Sequence, residues 1–160
     1  MNDEKMQKII ALAIKKAEDA FLKGEIPVAA VIFHLETGEV IAAAANDNGK
    51  KSNATNHAEM LAIAAASEKV GNRYLSEYGI FVTLEPCPMC AAAISFAKIP
   101  LLLFGAEDEK GGGVLHGARI YETQKNLFIP KVEGGIEKEK CATLLKKFFK
   151  NMREAKNGKA

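Results

Sequence analysis

The sequence lacks any apolar run long enough to cross a membrane. Runs such as 11–14 and 99–104 contain only a few residues, whereas a helix needs roughly 20 apolar residues to span a bilayer. The apolar core of a secretory signal is also missing, because the first residues are the polar Asn2, Asp3, Glu4 and Lys5. These absences argue against a membrane protein and predict a cytoplasmic one.

Cysteine is scarce, and neither sign of charge dominates. Three cysteines in 160 residues argue against a disulfide framework, and Cys141, which falls in a helical pattern, is predicted to be a buried, inert thiol. A net charge of +2 means that a nucleic-acid partner would have to meet a local basic patch. With 48% hydrophobic residues, residues 1–160 are expected to form a single domain.

Helix and strand patterns alternate along the chain. Apolar residues at three- and four-residue spacing predict amphipathic helices over 5–23 and 137–156. A third helix is predicted to begin after Asn56 as N-cap, with Glu59 in the capping-box position. Runs rich in apolar and β-branched residues predict five strands, at 28–33, 40–45, 80–84, 101–104 and 128–132.

The order of these elements predicts the architecture. The first two strands are separated by a turn at 36–39, which indicates an antiparallel hairpin. A helix that starts near Cys87 lies between the third and fourth strands, which indicates a parallel crossover. We therefore expect an α/β protein with three α/β/α layers, in which helices flank a mixed five-stranded sheet.

Two short segments predict a metal site. Cys87 and Cys90 are spaced C-x-x-C, so both sulfurs can bind one ion from a single turn of backbone, and His57 can supply a third ligand. A structural zinc is normally held by four protein ligands, whereas a catalytic zinc leaves one position open. Three candidate ligands therefore favour a catalytic site.

Each segment has another interpretation when taken alone. A C-x-x-C at a strand-to-helix turn also suits a dithiol redox centre, and near a helix start His57 could be an ordinary polar residue and Glu59 a capping residue. The two segments together decide between these interpretations. An H-x-E segment combined with P-C-x-x-C, here Pro86 to Cys90, is the signature of zinc-dependent nucleobase deaminases.

At these residues the sequence resembles the cytidine and deoxycytidylate deaminase superfamily, and within it the bacterial tRNA-specific adenosine deaminases. The likeness runs from about residue 25 to residue 153. It is carried mainly by segments 25–28, 57–59, 83–91 and 104–112, by Asn46 and by the Phe148-Phe149 pair. The resemblance implies a cytidine-deaminase-like fold with one Zn²⁺ per chain.

The resemblance also implies roles for individual residues. His57, Cys87 and Cys90 would hold the zinc, and Glu59 would carry protons without binding the metal, acting as base and then as acid. Three further groups would contact the substrate base: the side chain of Asn46, the backbone N–H of Ala58 and the carbonyl of Pro86.

Residues farther along the chain match tRNA-binding positions of these relatives. Asp108 and Lys110 correspond to positions that contact the nucleotide backbone or sugar, and Phe148, Phe149 and Arg153 to the surface that meets the anticodon loop. An exposed Phe beside cationic side chains suits stacking of splayed RNA bases, although core packing is an equally good interpretation of Phe148. The relatives are generally homodimers, so the resemblance also implies a dimer.

Three residues depart from the pattern of the tRNA-acting branch. Asn56 precedes the histidine where relatives commonly have Ala, Asp47 stands where many have Arg, and Ala29 replaces a usual Gly. These changes leave the metal site intact but bear on the substrate. A deaminase of a free base or nucleoside, such as guanine or cytosine, remains an alternative, as does a non-catalytic zinc-stabilised RNA-binding module.

Overall fold

The computed structural model describes residues 2–47 and 52–158. Within them, five strands form one sheet: β1 (Ala29–His34), β2 (Val40–Ala45), β3 (Tyr78–Leu84), β4 (Leu101–Ala106) and β5 (Lys131–Glu133). The sheet order is β2-β1-β3-β4-β5. β1 pairs antiparallel with both β2 and β3, while β4 pairs parallel with β3 and β5. The predicted mixed five-stranded sheet is confirmed.

In the described part of the chain, five helices accompany the sheet: α1 (Asp3–Leu22), α2 (Ala58–Val70), α3 (Pro88–Phe96), α4 (Ile120–Thr123) and α5 (Lys138–Asn157). The sequence patterns anticipate all of them except α4, which is a single turn whose Tyr121 hydroxyl donates to the Ala91 carbonyl of α3 at 2.7 Å. None of the helices within the described residues is long and apolar enough to cross a lipid bilayer.

The alternation of side chains along β1 separates two cores. Ala30 and Ile32 face a core built with α2 and α3, whereas Val31 and Phe33 face a second core built with α1. Helix α5 lies beside α1, where Phe148 makes an edge-to-face contact with Phe21 at a centroid distance of 5.8 Å. Helices therefore cover both faces of the sheet, as the three-layer prediction requires.

The predicted start of α2 is wrong by one residue. His57, not Asn56, is the N-cap, with extended backbone angles and no side-chain capping bond. Asn56 belongs to the preceding turn, because its N–H bonds the Asn53 carbonyl and its own carbonyl accepts from Asp47 N–H at 3.1 Å. Glu59 consequently lies at the second helical position and forms no capping box. The predicted loop 46–56 extends in part outside the described residues.

The edge strand β5 also differs from its prediction at 128–132. Its pairing begins only at Lys131, whose N–H bonds the Pro100 carbonyl at 2.9 Å. Pro130 has no N–H to give to the ladder, so the strand starts after the proline.

Candidate active site

A cavity lies where the carboxyl ends of β3 and β4 meet the N-terminus of α2. It has a volume of about 410 Å³. Six parts of the chain contribute its walls: the segment before β1, the residue after β2, the start of α2, the turn after β3, the segment after β4, and one face of α5. The residues used below that line it are Asn46, His57, Glu59, Glu85, Cys87, Glu107, Asp108, Lys146 and Phe149.

Two helix starts bring the predicted metal ligands together. His57 is the N-cap of α2, while Cys87 is the N-cap of α3 and Cys90 lies in the first turn of α3. The Nδ1 atom of His57 is 3.6 Å from each of the two sulfurs, and all three ligand atoms lie within 4.8 Å of one another. In the part of the chain that the structure describes, this is the one such group of metal-ligating side chains.

The spacing of the three atoms fits zinc. With Zn–N near 2.0–2.1 Å and Zn–S near 2.3 Å, tetrahedral angles place a nitrogen and a sulfur ligand about 3.6 Å apart. The observed Nδ1–Sγ separations have this value. One imidazole and two sulfurs are also a donor set that zinc accepts.

The two thiols ionise differently. A hydrogen bond from Cys90 is the main cause that lowers the pKa of Cys87 to about 5, assisted by the neighbouring His57 and opposed by burial. The pKa of Cys90 is raised, because its thiol donates to Cys87 and is buried next to Glu59. Cys87 is therefore the thiolate that is already present at neutral pH, which is the form that binds a metal.

Glu59 lies directly beside this cluster. It is 4% exposed, and burial is the main cause that raises its pKa to about 7. The nearby Cys87 raises this pKa further, while hydrogen bonds from its own backbone N–H and from Cys90 lower it. A carboxyl group with a pKa near 7 can both take up and release a proton at neutral pH.

Asn46 is fixed beside α2. Its Oδ1 accepts the backbone N–H of Ala58 at 2.8 Å, and the residue is 8% exposed. The resemblance assigns the Ala58 N–H to the substrate base, but here it is used to orient Asn46. Likewise, the Pro86 carbonyl accepts the Gly113 N–H at 2.8 Å, so one of its two lone-pair directions is already occupied.

Glu85 is a feature that the sequence patterns did not reveal as part of the site. The residue is 2% exposed, and its carboxylate accepts hydrogen bonds from Asp108, Val114, Leu115 and His116. Although burial raises the pKa of Glu85, the hydrogen bonds from His116 and from the backbone outweigh it, and the net pKa lies below the ordinary value. The only sequence signal for this role was the position of Glu85 directly before the P-C-x-x-C motif.

The residues predicted to meet RNA fall into two groups. Asp108 lines the cavity, and its Oδ1 accepts the Gly111 N–H at 2.9 Å, whereas Lys110 is exposed and does not line the cavity. On α5, Phe149 is 42% exposed and lines the cavity, but Phe148 is 7% exposed and packs against Phe21. Arg153 is exposed one turn beyond Phe149.

Comparison with known proteins agrees with this arrangement. The family model of the MafB19-like deaminases matches residues 2–153. The chain belongs to this deaminase family. The deaminase is 42% identical over 142 residues to the tRNA-specific adenosine deaminase of Rickettsia bellii (strain RML369-C), covering 89% of this chain and 98% of that relative. It is 39% identical to the protein of the same name from Agrobacterium fabrum (strain C58 / ATCC 33970), covering 89% and 92%.

Solved structures place the deaminase among enzymes of related chemistry. A structure from a study of A-to-I editing by tRNA:A34 deaminases at the wobble position of transfer RNA superposes with a TM-score of 0.83, at 38% identity, covering 87% of this chain and 99% of that one. A guanine deaminase from Bacillus subtilis superposes with a TM-score of 0.63, at 28% identity, covering 83% and 85%.

Proposed function

We propose that this deaminase uses one zinc ion per chain to convert the anticodon wobble adenosine of tRNA to inosine, with release of ammonia. The observation that carries the chemistry is the His57, Cys87 and Cys90 cluster beside Glu59, whose pKa is raised to about 7. The tRNA substrate is supported by relatives about 40% identical over most of the chain.

His57, Cys87 and Cys90 would hold the zinc. When bound, a zinc ion supplies Lewis-acid chemistry that brings the pKa of a water molecule toward neutrality. The two helix starts contribute the positive ends of their dipoles, which favour the thiolate form of the cysteines. The protein therefore prepares the ligand set through helix position as well as residue type.

Glu59 would carry the protons of the reaction. It would accept a proton from water, deliver it to the ring nitrogen next to the attacked C6 carbon, and then help to protonate the departing amino group. The products from adenosine and water are inosine and ammonia. Because its pKa is about 7, Glu59 can occupy either protonation state at cellular pH.

The base would be held by groups around Asn46. Since Asn46 Oδ1 is occupied by Ala58 N–H, the Nδ2 amide group is the part of this side chain that can donate to an acceptor on the purine. Ala58 then positions Asn46, and its N–H would contact the base only if the hydrogen bond were exchanged. The remaining lone pair of the Pro86 carbonyl could accept from the leaving amino group.

The RNA loop would lie along α5. This helix presents exposed cationic side chains: Lys138, Lys140, Lys146, Lys147, Lys150 and Arg153. Phe149 lies at the junction between this basic face and the cavity, where an exposed ring can stack on an unpaired base. Asp108 would approach the nucleotide sugar or backbone from the opposite wall of the cavity, and Lys110 would do so from the exposed surface next to it. Phe148 is assigned to packing within the protein, since its ring is buried against Phe21.

The expectation of a homodimer, in a cytoplasmic single-domain protein, rests on the family resemblance and the sequence composition. Phe96 at the end of α3 is 71% exposed, and a large apolar side chain of this kind is common at subunit interfaces. Light scattering on the purified protein measures the assembly directly. If the wild type is a dimer and Phe96→Glu is a monomer, the surface around Phe96 is supported as the dimer interface. A monomeric wild type would exclude the dimer.

The deciding experiment offers several substrates to the zinc-loaded protein in parallel. These are inosine-free bulk tRNA, free guanine, cytosine and adenine, and their nucleosides, with inosine and ammonia as readouts. Inosine at the wobble position is the expected result. Ammonia from free guanine alone would instead indicate a guanine deaminase, and no turnover of any substrate would favour a non-catalytic zinc-stabilised module.

A further inference from the structure

The segment that follows β4 is held by one buried carboxylate. The Oε1 atom of Glu85 accepts the Asp108 N–H at 3.2 Å and contacts His116 Nδ1 at 2.7 Å. Its Oε2 atom accepts N–H groups from Val114, Leu115 and His116 at 3.3, 2.9 and 2.9 Å. The two oxygens thus bind both the beginning and the end of segment 107–117, which we call the rim loop.

The glycines of the rim loop allow this close approach. An added Cβ at Gly112 would meet the Asp108 carbonyl oxygen and come within 2.7 Å of Glu85 Oε2, and one at Gly113 would come within 2.5 Å of Pro88 N. The Gly113 N–H also bonds the Pro86 carbonyl at 2.8 Å. The rim loop is therefore fastened directly to the turn that carries the two cysteines.

The rim loop forms one wall of the cavity and connects to the opposite wall. Glu107 and Asp108 line the cavity. Glu107 Oε2 lies 3.8 Å from His116 Nε2 and 3.4 Å from Lys138 Nζ at the start of α5. The chain of contacts Glu85, His116, Glu107 and Lys138 thus links the strand end to the helix that carries Phe149.

We propose that Glu85 is a positioning residue for substrate binding, which acts by holding Glu107 and Asp108 at the rim of the cavity. Its own side chain has no exposed surface, so it works through the rim loop. The consequence for substrate binding rests on the proposed function, whereas the fastening of the loop does not. Charge-assisted hydrogen bonds of this kind are the stronger class in proteins, so losing them should loosen the loop measurably.

The test compares zinc-loaded wild type with Glu85→Gln and with the control Glu109→Gln. Glu85→Gln keeps the side-chain shape but turns one oxygen into an NH₂ group facing N–H donors. Glu109→Gln removes the same charge from an exposed position in the same loop. The readouts are hydrogen exchange at the Asp108, Val114, Leu115 and His116 amides, zinc content, and the separate kcat and KM values on the substrate that the wild type deaminates.

Glu85→Gln is expected to speed exchange at these four amides by about tenfold or more, and to raise KM by about tenfold with a much smaller change in kcat and unchanged zinc. Glu109→Gln should match the wild type. Unchanged exchange in Glu85→Gln would overturn the proposal, as would faster exchange with an unchanged KM, or an equal effect of Glu109→Gln.

His116→Ala tests the same contacts if Glu85→Gln fails to fold. It removes the contact with Oε1 but leaves the backbone hydrogen bonds to Glu85, so exchange should speed chiefly at Asp108, and KM should rise by a smaller factor. Unchanged exchange and KM would overturn the proposal. Because exchange needs no turnover, failure of the tRNA assignment is seen separately, as missing inosine in the wild type.

Discussion

Two buried glutamates beside the same cavity have opposite acidities. Glu59 and Glu85 are 4% and 2% exposed, and burial raises the pKa of each. The pKa of Glu59 stays high, at about 7, whereas that of Glu85 falls below its ordinary value. One cause of the difference is the number of hydrogen-bond donors, since Glu85 receives five contacts from the rim loop, and another is the nearby Cys87, which raises the pKa of Glu59 further.

This comparison separates Glu59, the proposed proton carrier, from Glu85, the proposed positioning residue. A carboxylate surrounded by donors is stabilised in its charged form and has little tendency to accept a proton near pH 7. A buried carboxyl group with few donors exchanges its proton near neutrality, which suits acid–base chemistry. Burial alone therefore does not identify a catalytic carboxylate; the donors around it must be counted.

The largest expected effect is the loss of turnover in Glu59→Gln. Glutamine has nearly the same shape but cannot carry a proton, so kcat should fall by roughly 10²–10⁴-fold or more. The measurement is inosine formation in tRNA under single-turnover conditions. The zinc content should remain that of the wild type, because Glu59 is not assigned as a ligand.

The control for this variant is the other glutamate. Glu85→Gln should change KM far more than kcat, so the two substitutions should give opposite kinetic patterns. Turnover at the wild-type rate in Glu59→Gln would refute the proton-carrying role. Loss of zinc in Glu59→Gln would show instead that this carboxylate supports the metal cluster.

The second prediction concerns the proposed metal ligands beside Glu59. Cys87→Ser and Cys90→Ser should each lower bound zinc from about one per chain, since a serine hydroxyl is a poor substitute for a thiolate. Elemental analysis of the purified variants provides the measurement. Cys141→Ser is the matched control and should retain its zinc, and full zinc retention in both Cys87→Ser and Cys90→Ser would contradict the ligand assignment.

The third prediction disturbs the contacts between Glu85 and the rim loop by a substitution in the loop itself. Gly112→Ala places a Cβ against the Asp108 carbonyl oxygen and Glu85 Oε2, and overpacking of this kind costs about 1–3 kcal/mol. Chemical denaturation of the zinc-loaded protein measures this loss. Gly111→Ala is the control, because its Cβ would meet only the side chain of Asp108, 2.9 Å from Oδ2. Equal stabilities of the two variants would argue against a tightly fastened loop.

The sequence predicts that Glu59 belongs to the candidate site, but it does not predict the contacts of Glu85. His57 and Glu59 lie in one short segment and Cys87 and Cys90 in another, about 30 residues apart, and the combination of H-x-E with P-C-x-x-C is a known signature that groups them. The contacts of Glu85 depend on residues 23 to 31 positions away, for which local spacing gives no signal. The sheet was predictable for a different reason, because apolar periodicity is local.

The local sequence pattern likewise could not predict which aromatic side chains of α5 are exposed. Phe148 and Phe149 are adjacent, and both fit the apolar spacing of an amphipathic helix or an aromatic surface. Only the position of α1 decides between these interpretations, because Phe21 covers Phe148 and leaves Phe149 at the cavity. The start of α2 differed from its prediction for a similar reason, since the backbone of Asn56 is engaged by Asp47.

The prediction with the smallest expected effect tests, at a residue away from the cavity, whether burial raises the pKa of a side chain. Cys141 is 3% exposed and packs at Gly105, and burial is the main cause that raises the pKa of its thiol to about 11. Alkylation needs the thiolate, and an ordinary thiol is about half ionised at pH 8.5. Cys141 should therefore react about a hundredfold more slowly than the same residue in the denatured chain, with a rate that rises with pH toward about 11. Peptide mass spectrometry after iodoacetamide pulses measures this rate, and native labelling as fast as denatured labelling would mean that burial does not control acidity in this core.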